Sequence, residues 1–154
     1  MNTRTSSSMR TFSRGVAAVE LALLLPVILI AMTGVAELAR GIYTFNTLNK
    51  SVRDAARYMS QLERTDAVRQ ATKCLAAYGN TTCTSPALAE GLTEADVVVC
   101  DADLCPDHRN QPVGAGVVNL VSVGIQGYTF DSVVEYVVGD IPFNRIYVTM
   151  RANL

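Results

Sequence analysis

The sequence has 154 residues, of which 49% are hydrophobic and 18% are charged, and its formal net charge is −1 at pH 7. This length fits one domain with an appended segment better than two substantial domains. The nearly balanced charge excludes a generally basic nucleic-acid-binding protein, and the hydrophobic content excludes a wholly disordered chain. The most hydrophobic stretch lies early in the chain, so that stretch decides the class of protein.

Residues 16–36 form an apolar run, VAAVELALLLPVILIAMTGVA, in which Glu20 is the only charged residue. As a helix that rises about 1.5 Å per residue, this run would be about 31 Å long, close to the thickness of a bilayer's hydrocarbon core. Residues 1–15 contain three arginines and no acid. Because basic flanks remain in the cytoplasm, we expect a single-pass membrane protein with its N-terminus inside and residues 37–154 outside.

Two residues inside the apolar run bear on function. Pro26 removes a helix hydrogen bond, and we expect a kink there that neighbouring helices tolerate. Glu20 is costly in lipid unless it reaches the headgroups or meets a cation. If a protease cut after Gly15, the new amine of Val16 would lie about 6 Å along the axis from Glu20. A neighbouring subunit shifted by that step would present its own amine to the carboxylate, and repetition of this contact builds a filament.

These residues carry a resemblance to known proteins. Residues 15–20, GVAAVE, resemble the prepilin-peptidase site of type IV pilins and pseudopilins. More narrowly, residues 14–60 resemble the TadE-like minor pilins of the Tad (tight adherence) pilus machinery. Those proteins combine a short basic leader, Ala-Ala-Val-Glu, a Leu-rich run interrupted by Pro, and an Ala- and Arg-rich helix. Residues 148–151 also resemble the closing segment of that group, whereas Leu21 replaces the Phe or Tyr of many relatives.

The resemblance implies a minor pilin or pseudopilin that a prepilin peptidase cleaves between Gly15 and Val16. It would support pilus biogenesis and adhesion as part of a hetero-oligomer with other pilins and Tad inner-membrane assembly proteins. Its place would be the bacterial inner membrane, with the C-terminal domain in the periplasm or outside the cell, or the pilus itself. In this family's mode of assembly, Glu20 compensates the new amine.

A conventional secretion signal is the alternative. Residues 34–36, Gly-Val-Ala, place small side chains where a signal peptidase cleaves after an apolar run. Cleavage there would release a secreted binding module that begins at Glu37, and an uncleaved run would tether the same module to the membrane. Either form would act without a filament and leave Gly15 and Glu20 without a role.

Beyond the apolar run, hydrophobic residues recur at steps of three and four from Leu38 to Leu62, which is typical of one helix face. A second helix is predicted over residues 66–78, with Thr65 or Asp66 as its N-terminal cap and Gly79 as its end. The sequence leaves open whether this helix continues the first. Strand-like runs follow at residues 95–100, 117–125, 132–138 and 145–151.

We therefore expect an α+β fold, in which a long transmembrane helix continues into an amphipathic stem that packs against a small antiparallel sheet. The predicted organisation comprises four parts: a basic leader at 1–15, a transmembrane helix at 16–36, a helical stem at 37–79, and a β-rich head at 80–154. Charge follows this division, since residues 37–73 carry seven bases against four acids and residues 74–154 carry three bases against nine acids. We expect the two surfaces to complement each other, within one molecule or between neighbours.

The four cysteines lie on the predicted outer side, where an oxidising compartment favours two disulfides. Of the three ways to pair them, we favour Cys74 with Cys83 and Cys100 with Cys105, because each pair closes a short loop across a turn. A metal site is the alternative, although these spacings match common zinc motifs poorly.

Catalysis and a cofactor find little support in the sequence. Asp101, Asp103 and Asp107 place carboxylates close together and are a weak calcium candidate, but this stretch lacks the glycine and glutamate of an EF-hand. His108 is the sole histidine and is expected at the surface. No hydrolase or phosphate-binding motif is present, so we expect neither an enzyme nor a bound cofactor. Bases interleaved with acids also argue against a nucleic-acid partner.

Overall fold

The computed structural model describes residues 9–114 and 116–153, with side chains described from residue 15 onward. This part of the chain contains two α-helices, seven short strands and two single 3-10 turns, at Glu94–Asp96 and Pro106–His108. The helices are α1 (Met9–Ser60) and α2 (Asp66–Tyr78). The strands are β1 (Val97–Cys100), β2 (Gln111–Val113), β3 (Gly116–Val118), β4 (Leu120–Ile125), β5 (Thr129–Phe130), β6 (Ile141–Pro142) and β7 (Ile146–Arg151). The predicted α+β class is confirmed. Residues 1–8 of the predicted leader lie outside the described residues.

Helix α1 has two very different halves. Residues 15–33 are exposed along their whole length, whereas a stripe near the C-terminal end is buried. The buried stripe comprises Leu48, Val52, Ala55, Ala56 and Met59. The predicted apolar face is therefore covered only in its upper part, and Leu38, Ile42 and Phe45 remain exposed.

Helix α2 is a separate helix, which answers the question that the sequence left open. Its N-terminal cap is Thr65, whose hydroxyl accepts a hydrogen bond from the backbone N–H of Val68 at 3.3 Å. It ends at Gly79, which adopts a left-handed φ of 73° that favours glycine. The Ser51 hydroxyl of α1 donates to the Ala76 carbonyl at 2.9 Å, so α2 folds back along α1.

Three strands form the main antiparallel sheet, in the order β1-β4-β7. The central strand β4 pairs Val123 with Val99 on one side and with Val148 on the other. Val121, Val123 and Ile125 of this strand join the buried stripe of α1 in one hydrophobic core. The other strands form two ribbons, β2 with β3 and β5 with β6.

Two strand predictions differ from the structure. The run at 117–125 is interrupted at Asn119, so its first part belongs to the β2–β3 ribbon and its second part to the main sheet. The strand predicted at 132–138 is wrong, because this segment forms a loop between β5 and β6. In that loop the Val134 carbonyl accepts hydrogen bonds from the N–H groups of Val137 and Val138, both at 2.9 Å. These turn contacts replace the extended backbone that β-branched residues favour.

Aromatic rings extend the core toward the exposed half of α1. The Phe143 ring packs edge-on against Phe45 of α1, with centroids 5.4 Å apart, and also contacts Tyr128 and Phe130 at 5.5 and 6.2 Å. This cluster joins the β5–β6 ribbon to α1 below the main sheet.

Close packing in the sheet predicts the effect of one substitution. A Cβ at Gly124 would collide with the Tyr147 ring and lie 2.9 Å from the Ile146 carbonyl. We expect Gly124→Ala to lower the free energy of unfolding by about 1–3 kcal/mol, since neighbouring strands cannot move apart freely. The measurement is urea unfolding of the full chain in detergent micelles, followed by near-ultraviolet circular dichroism.

The matched control is Gly116→Ala in β3, where an added Cβ would meet no atom within 4 Å. We expect that variant to unfold at the urea concentration of the unchanged chain. Equal stability of the two variants would show that the β4–β7 pair is not packed as described.

Candidate membrane-facing and assembly site

Most of the exposed large hydrophobic residues of the described chain lie on α1, before its buried stripe begins at Leu48. Among the described residues, α1 is the one helix long and apolar enough to cross a membrane, and none of its most apolar stretch is buried. Leu23 and Val35, near either end of that stretch, are 71% and 70% exposed. An apolar surface of this extent indicates contact with lipid or with another protein.

The predicted processing and assembly residues lie on this uncovered surface. A Cβ added at Gly15 would meet no atom within 4 Å, and Val16 is 63% exposed. Glu20 is exposed, and no hydrogen bond or ion pair joins its carboxylate to another residue in the described part of the chain. Pro26 lies inside α1, which continues as a helix through it, and the kink expected there stays a prediction. The three positions Gly15, Val16 and Glu20 are therefore accessible to other proteins.

A second acid on α1, Glu37, is buried where the head meets the helix. Its carboxylate accepts two hydrogen bonds from the Arg40 guanidinium, at 2.8 and 2.9 Å, and one each from the Ser132 hydroxyl and the Val133 N–H, at 3.3 Å. The bond from Arg40 lowers the pKa of Glu37 and outweighs burial, which raises it. Arg40 also lies over the Phe130 ring, 5.3 Å from its centroid.

This junction was not predicted from the sequence. The spacing of Glu37 and Arg40, three residues apart on a helix, was a signal for an ion pair. Nothing local indicated that Ser132 and Val133, some 95 residues later, would complete the site. The pair therefore fixes the β5–β6 loop against α1 through a contact that only the tertiary fold reveals.

The acidic loop after β1 is held by arginines of α2 and the preceding turn. The fully buried Asp101 accepts a hydrogen bond from Arg69 Nε at 2.7 Å and from the N–H groups of Asp103 and Leu104 at 2.9 Å. Asp103 in turn pairs with Arg69 at 3.2 Å and with Arg64 at 3.5 Å.

This arrangement favours ion pairing over calcium binding at the three aspartates. Asp101 and Asp103 direct carboxylate oxygens at guanidinium groups, and Asp107 is exposed. Arginines at the same oxygens would repel a divalent cation. These ion pairs also link the basic helical part to the acidic head. The uneven charge distribution predicted such complementarity within one molecule or between neighbours, and here it lies within one molecule.

The structure joins Cys74 to Cys83 and Cys100 to Cys105, the pairing that the short loops favoured. The first disulfide ties α2 to the loop that follows it. The second closes the acidic loop directly after β1, next to Asp101. The crosslinks therefore constrain the two irregular segments on either side of β1, as expected for a domain in an oxidising compartment.

His108, which was expected at the surface, is half-buried and therefore only partly exposed. Its Nε2 lies 2.7 Å from the Ser122 hydroxyl, which also hydrogen-bonds to the Tyr147 hydroxyl. Ser122 is fully buried in the central strand, so its hydroxyl is not accessible to a substrate. This Ser–His pair therefore links the loop to the sheet and does not form a nucleophilic site.

Among the described residues, three exposed carboxylates lie close enough together to hold a metal ion in principle. Asp131, Glu135 and Asp140 of the β5–β6 loop place one oxygen each within 4.8 Å of the others. All three are exposed to solvent, and clusters of this kind are common on protein surfaces without an ion.

These features define a class of small protein with one N-terminal helix of membrane-spanning length and a disulfide-braced α+β head. Residues 15–57 match the model of the TadE-like protein family, in agreement with the resemblance noted in the sequence. The match begins at Gly15 and lies entirely within α1. No curated protein and no solved structure matches the chain.

The buried Asp101 gives a prediction for stability and its pH dependence. Asp101→Asn removes the charge that faces Arg69, and we expect the free energy of unfolding at neutral pH to fall by about 2–3 kcal/mol. Burial opposes ionisation, but hydrogen bonds from Arg69 and two backbone N–H groups lower the pKa of Asp101 below its ordinary value of 3.8. The folded protein therefore binds this proton less tightly than the unfolded chain.

The unchanged chain and Asp101→Asn should differ in free energy of unfolding by a constant amount above about pH 5. This difference should shrink as the pH falls through the pKa of Asp101 in the folded protein. Urea unfolding at several pH values measures it. The control is Asp107→Asn, an exposed acid of the same loop, which should change stability little. A difference that grows toward low pH would contradict the assignment.

Proposed function

We propose that this protein is a minor pilin or pseudopilin of a Tad-type IV pilus, a membrane-anchored structural or assembly subunit. The observation that carries the proposal is the coincidence of two features on α1. The TadE-like match covers residues 15–57, and the part of this range before Leu48 is the surface that the chain's own head leaves largely uncovered. The family's characteristic segment is thus the segment available to lipid and to other subunits.

The proposed topology places α1 across the inner membrane with the leader inside and the head outside. The exposed stretch from 16 to 36 has the length of the hydrocarbon core, and basic residues precede it. The two disulfides support this orientation, because such bonds persist outside the cytoplasm.

Assembly is proposed to depend on cleavage after Gly15 and on the charge of Glu20. An exposed Gly15–Val16 bond is accessible to a prepilin peptidase, and the carboxylate of Glu20 has no partner within the described chain. A neighbouring subunit's amino terminus would supply the missing cation inside lipid, where an isolated carboxylate is costly.

The stem above the membrane offers the second proposed contact. Ile42, Tyr43 and Phe45 are 54%, 75% and 41% exposed on α1, between the apolar run and the buried stripe. Their neighbours would be the helices of other pilins and of Tad inner-membrane assembly proteins, which gives a hetero-oligomer. The work proposed for the protein is association, in support of pilus biogenesis and adhesion, and no reaction is assigned to it.

A secreted or tethered binding module remains the second candidate, and one observation favours it. Every residue of the hydrophobic core, from Leu48 onward, lies beyond residue 36, so a chain beginning at Glu37 would keep that core. The arginine pairing of Asp101 and Asp103 does not support the calcium dependence considered for this candidate.

The mature N-terminus distinguishes the candidates. In the native host we expect intact-mass analysis of the membrane-associated protein to give a chain that begins at Val16. A chain that begins at Glu37 would instead support secretion, and one that begins at Met1 would support an uncleaved anchor. The control is Gly15→Leu, which we expect to block processing and leave residues 1–15 attached.

The charge of Glu20 gives a separate prediction. Glu20→Gln keeps the size of the side chain and removes its charge, so membrane insertion should persist while incorporation into the pilus fails. We expect surface pili in the sheared fraction to fall tenfold or more, which corresponds to a loss of about 1.4 kcal/mol in subunit contact. Glu63→Gln, an exposed acid beyond the end of α1, is the control and should leave piliation unchanged. Normal piliation by Glu20→Gln would exclude compensation of the amine.

A further inference from the structure

The β5–β6 loop, residues 131–140, lies against the apolar half of α1. Its Ser132 and Val133 hydrogen-bond to Glu37, and a Cβ at Gly34 would lie 3.2 Å from the Val137 side chain. Gly34 and Glu37 are three residues apart and share one face of the helix. The loop therefore reaches past the end of the apolar run and lies beside its last turn.

The loop presents apolar side chains that the described chain leaves wholly or partly exposed. Val133 is 77% exposed, the Tyr136 side chain is fully exposed, and Val137 is 37% exposed. Leu104, Val113 and Val117 are also exposed in the head, but residues 131–140 lie beside the last turn of the apolar run. An aromatic ring with a polar tip beside exposed valines is typical of a segment at a membrane–water interface.

We propose that the β5–β6 loop inserts into the interfacial layer of the outer leaflet of the membrane. This inference rests on the proposed insertion of α1. If residues 16–36 fill the hydrocarbon core, Val137 lies at the depth of Gly34, inside the boundary between headgroups and acyl chains. Tyr136 lies at headgroup level with its hydroxyl hydrated.

The acids of the loop set how deep it goes and which lipid it favours. Asp131, Glu135 and Asp140 are exposed and close together, so they remain in the hydrated headgroup layer and limit insertion to the apolar tip. Their charge repels anionic headgroups, and the lipid best suited to this loop is therefore zwitterionic. The Glu37 contacts hold the loop at this level, so the head has a fixed height above the bilayer.

The absence of tryptophan from the chain allows a direct test. Three full-length single-tryptophan variants, Tyr136→Trp, Val117→Trp and Leu23→Trp, are reconstituted in phosphatidylcholine vesicles whose acyl chains are brominated near the carbonyl end or in the middle. The side chains replaced at 136, 117 and 23 are all exposed, so each variant should fold.

Val117 is the matched control because it lies at the far end of the head. It belongs to β3 and lies two residues before Asn119, whose carbonyl accepts a hydrogen bond from the N–H of Ala152. The N–H of Asn153, which follows Ala152, donates to the carbonyl of Ser60 at the end of α1. Ser60 is 26 residues beyond Gly34 in the same helix, about 39 Å away.

We expect lipid brominated near the carbonyl end to quench Tyr136→Trp severalfold more strongly than Val117→Trp, and lipid brominated in the middle to quench Leu23→Trp most. Quenching of Leu23→Trp with none of Tyr136→Trp would overturn the loop proposal and leave the anchor in place. Protection of Tyr136→Trp from aqueous acrylamide without bromine quenching would show that a protein chain covers the loop, which also overturns it. If Leu23→Trp escapes quenching, the anchor itself fails and the loop proposal fails with it.

Discussion

One continuous helix, α1, has two environments, and the rest of the structure depends on that division. From Leu48 to Met59 its apolar stripe is buried by α2 and the main sheet, whereas residues 15–33 have no cover from the described chain. Burial of apolar surface contributes about 25 cal/mol per Å², so an uncovered apolar stretch of this length would be very unfavourable in water. An apolar surface of this extent indicates contact with lipid or with another protein.

The change from one environment to the other takes place over a short length of α1. Phe45 contacts the aromatic cluster, Gly41 lies under Phe130 and Ile141, and Glu37 receives the β5–β6 loop. The acid at 37 is stable there because Arg40 supplies a counter-charge and the loop supplies two further hydrogen bonds. Glu20 has the opposite surroundings, since it lies amid exposed apolar residues and has no such partners within the described chain. One acid thus joins the head to the helix within the monomer, and the other is exposed, as the proposed intermolecular contact requires.

Local chemistry explains what the sequence predicted well. The helix over 66–78 was predicted with its bounds because the Thr65 hydroxyl caps its first turn and Gly79 adopts the left-handed conformation that ends it. Strand β1 was predicted because a run of three valines favours extended backbone. The strand at 132–138 was wrong because valine propensity was overridden by Glu37, a residue distant in sequence. Asp101 was considered for calcium because the sequence could not place Arg69 beside it. The family segment was found because its charges and its proline are local features of one helix, whereas the family match does not extend to the head.

The constraints within the head are unevenly distributed, and this bears on how the protein meets its surroundings. Both disulfides and the buried Arg69–Asp101 pair act on α2, β1 and the segments that flank them. In the described residues from 126 to 145 there is no crosslink, and the contacts with α1 comprise aromatic and aliphatic packing, the Arg40–Phe130 contact and hydrogen bonds to Glu37. Segments with fewer buried constraints open at lower free energy than a crosslinked core. The position of this segment thus depends on its contacts with α1, whereas α2 and β1 are also held by crosslinks and a buried ion pair. In the proposed pilus subunit, the Glu37 contacts would keep this segment beside the helix whether the exposed half of α1 lies in the bilayer or in a filament.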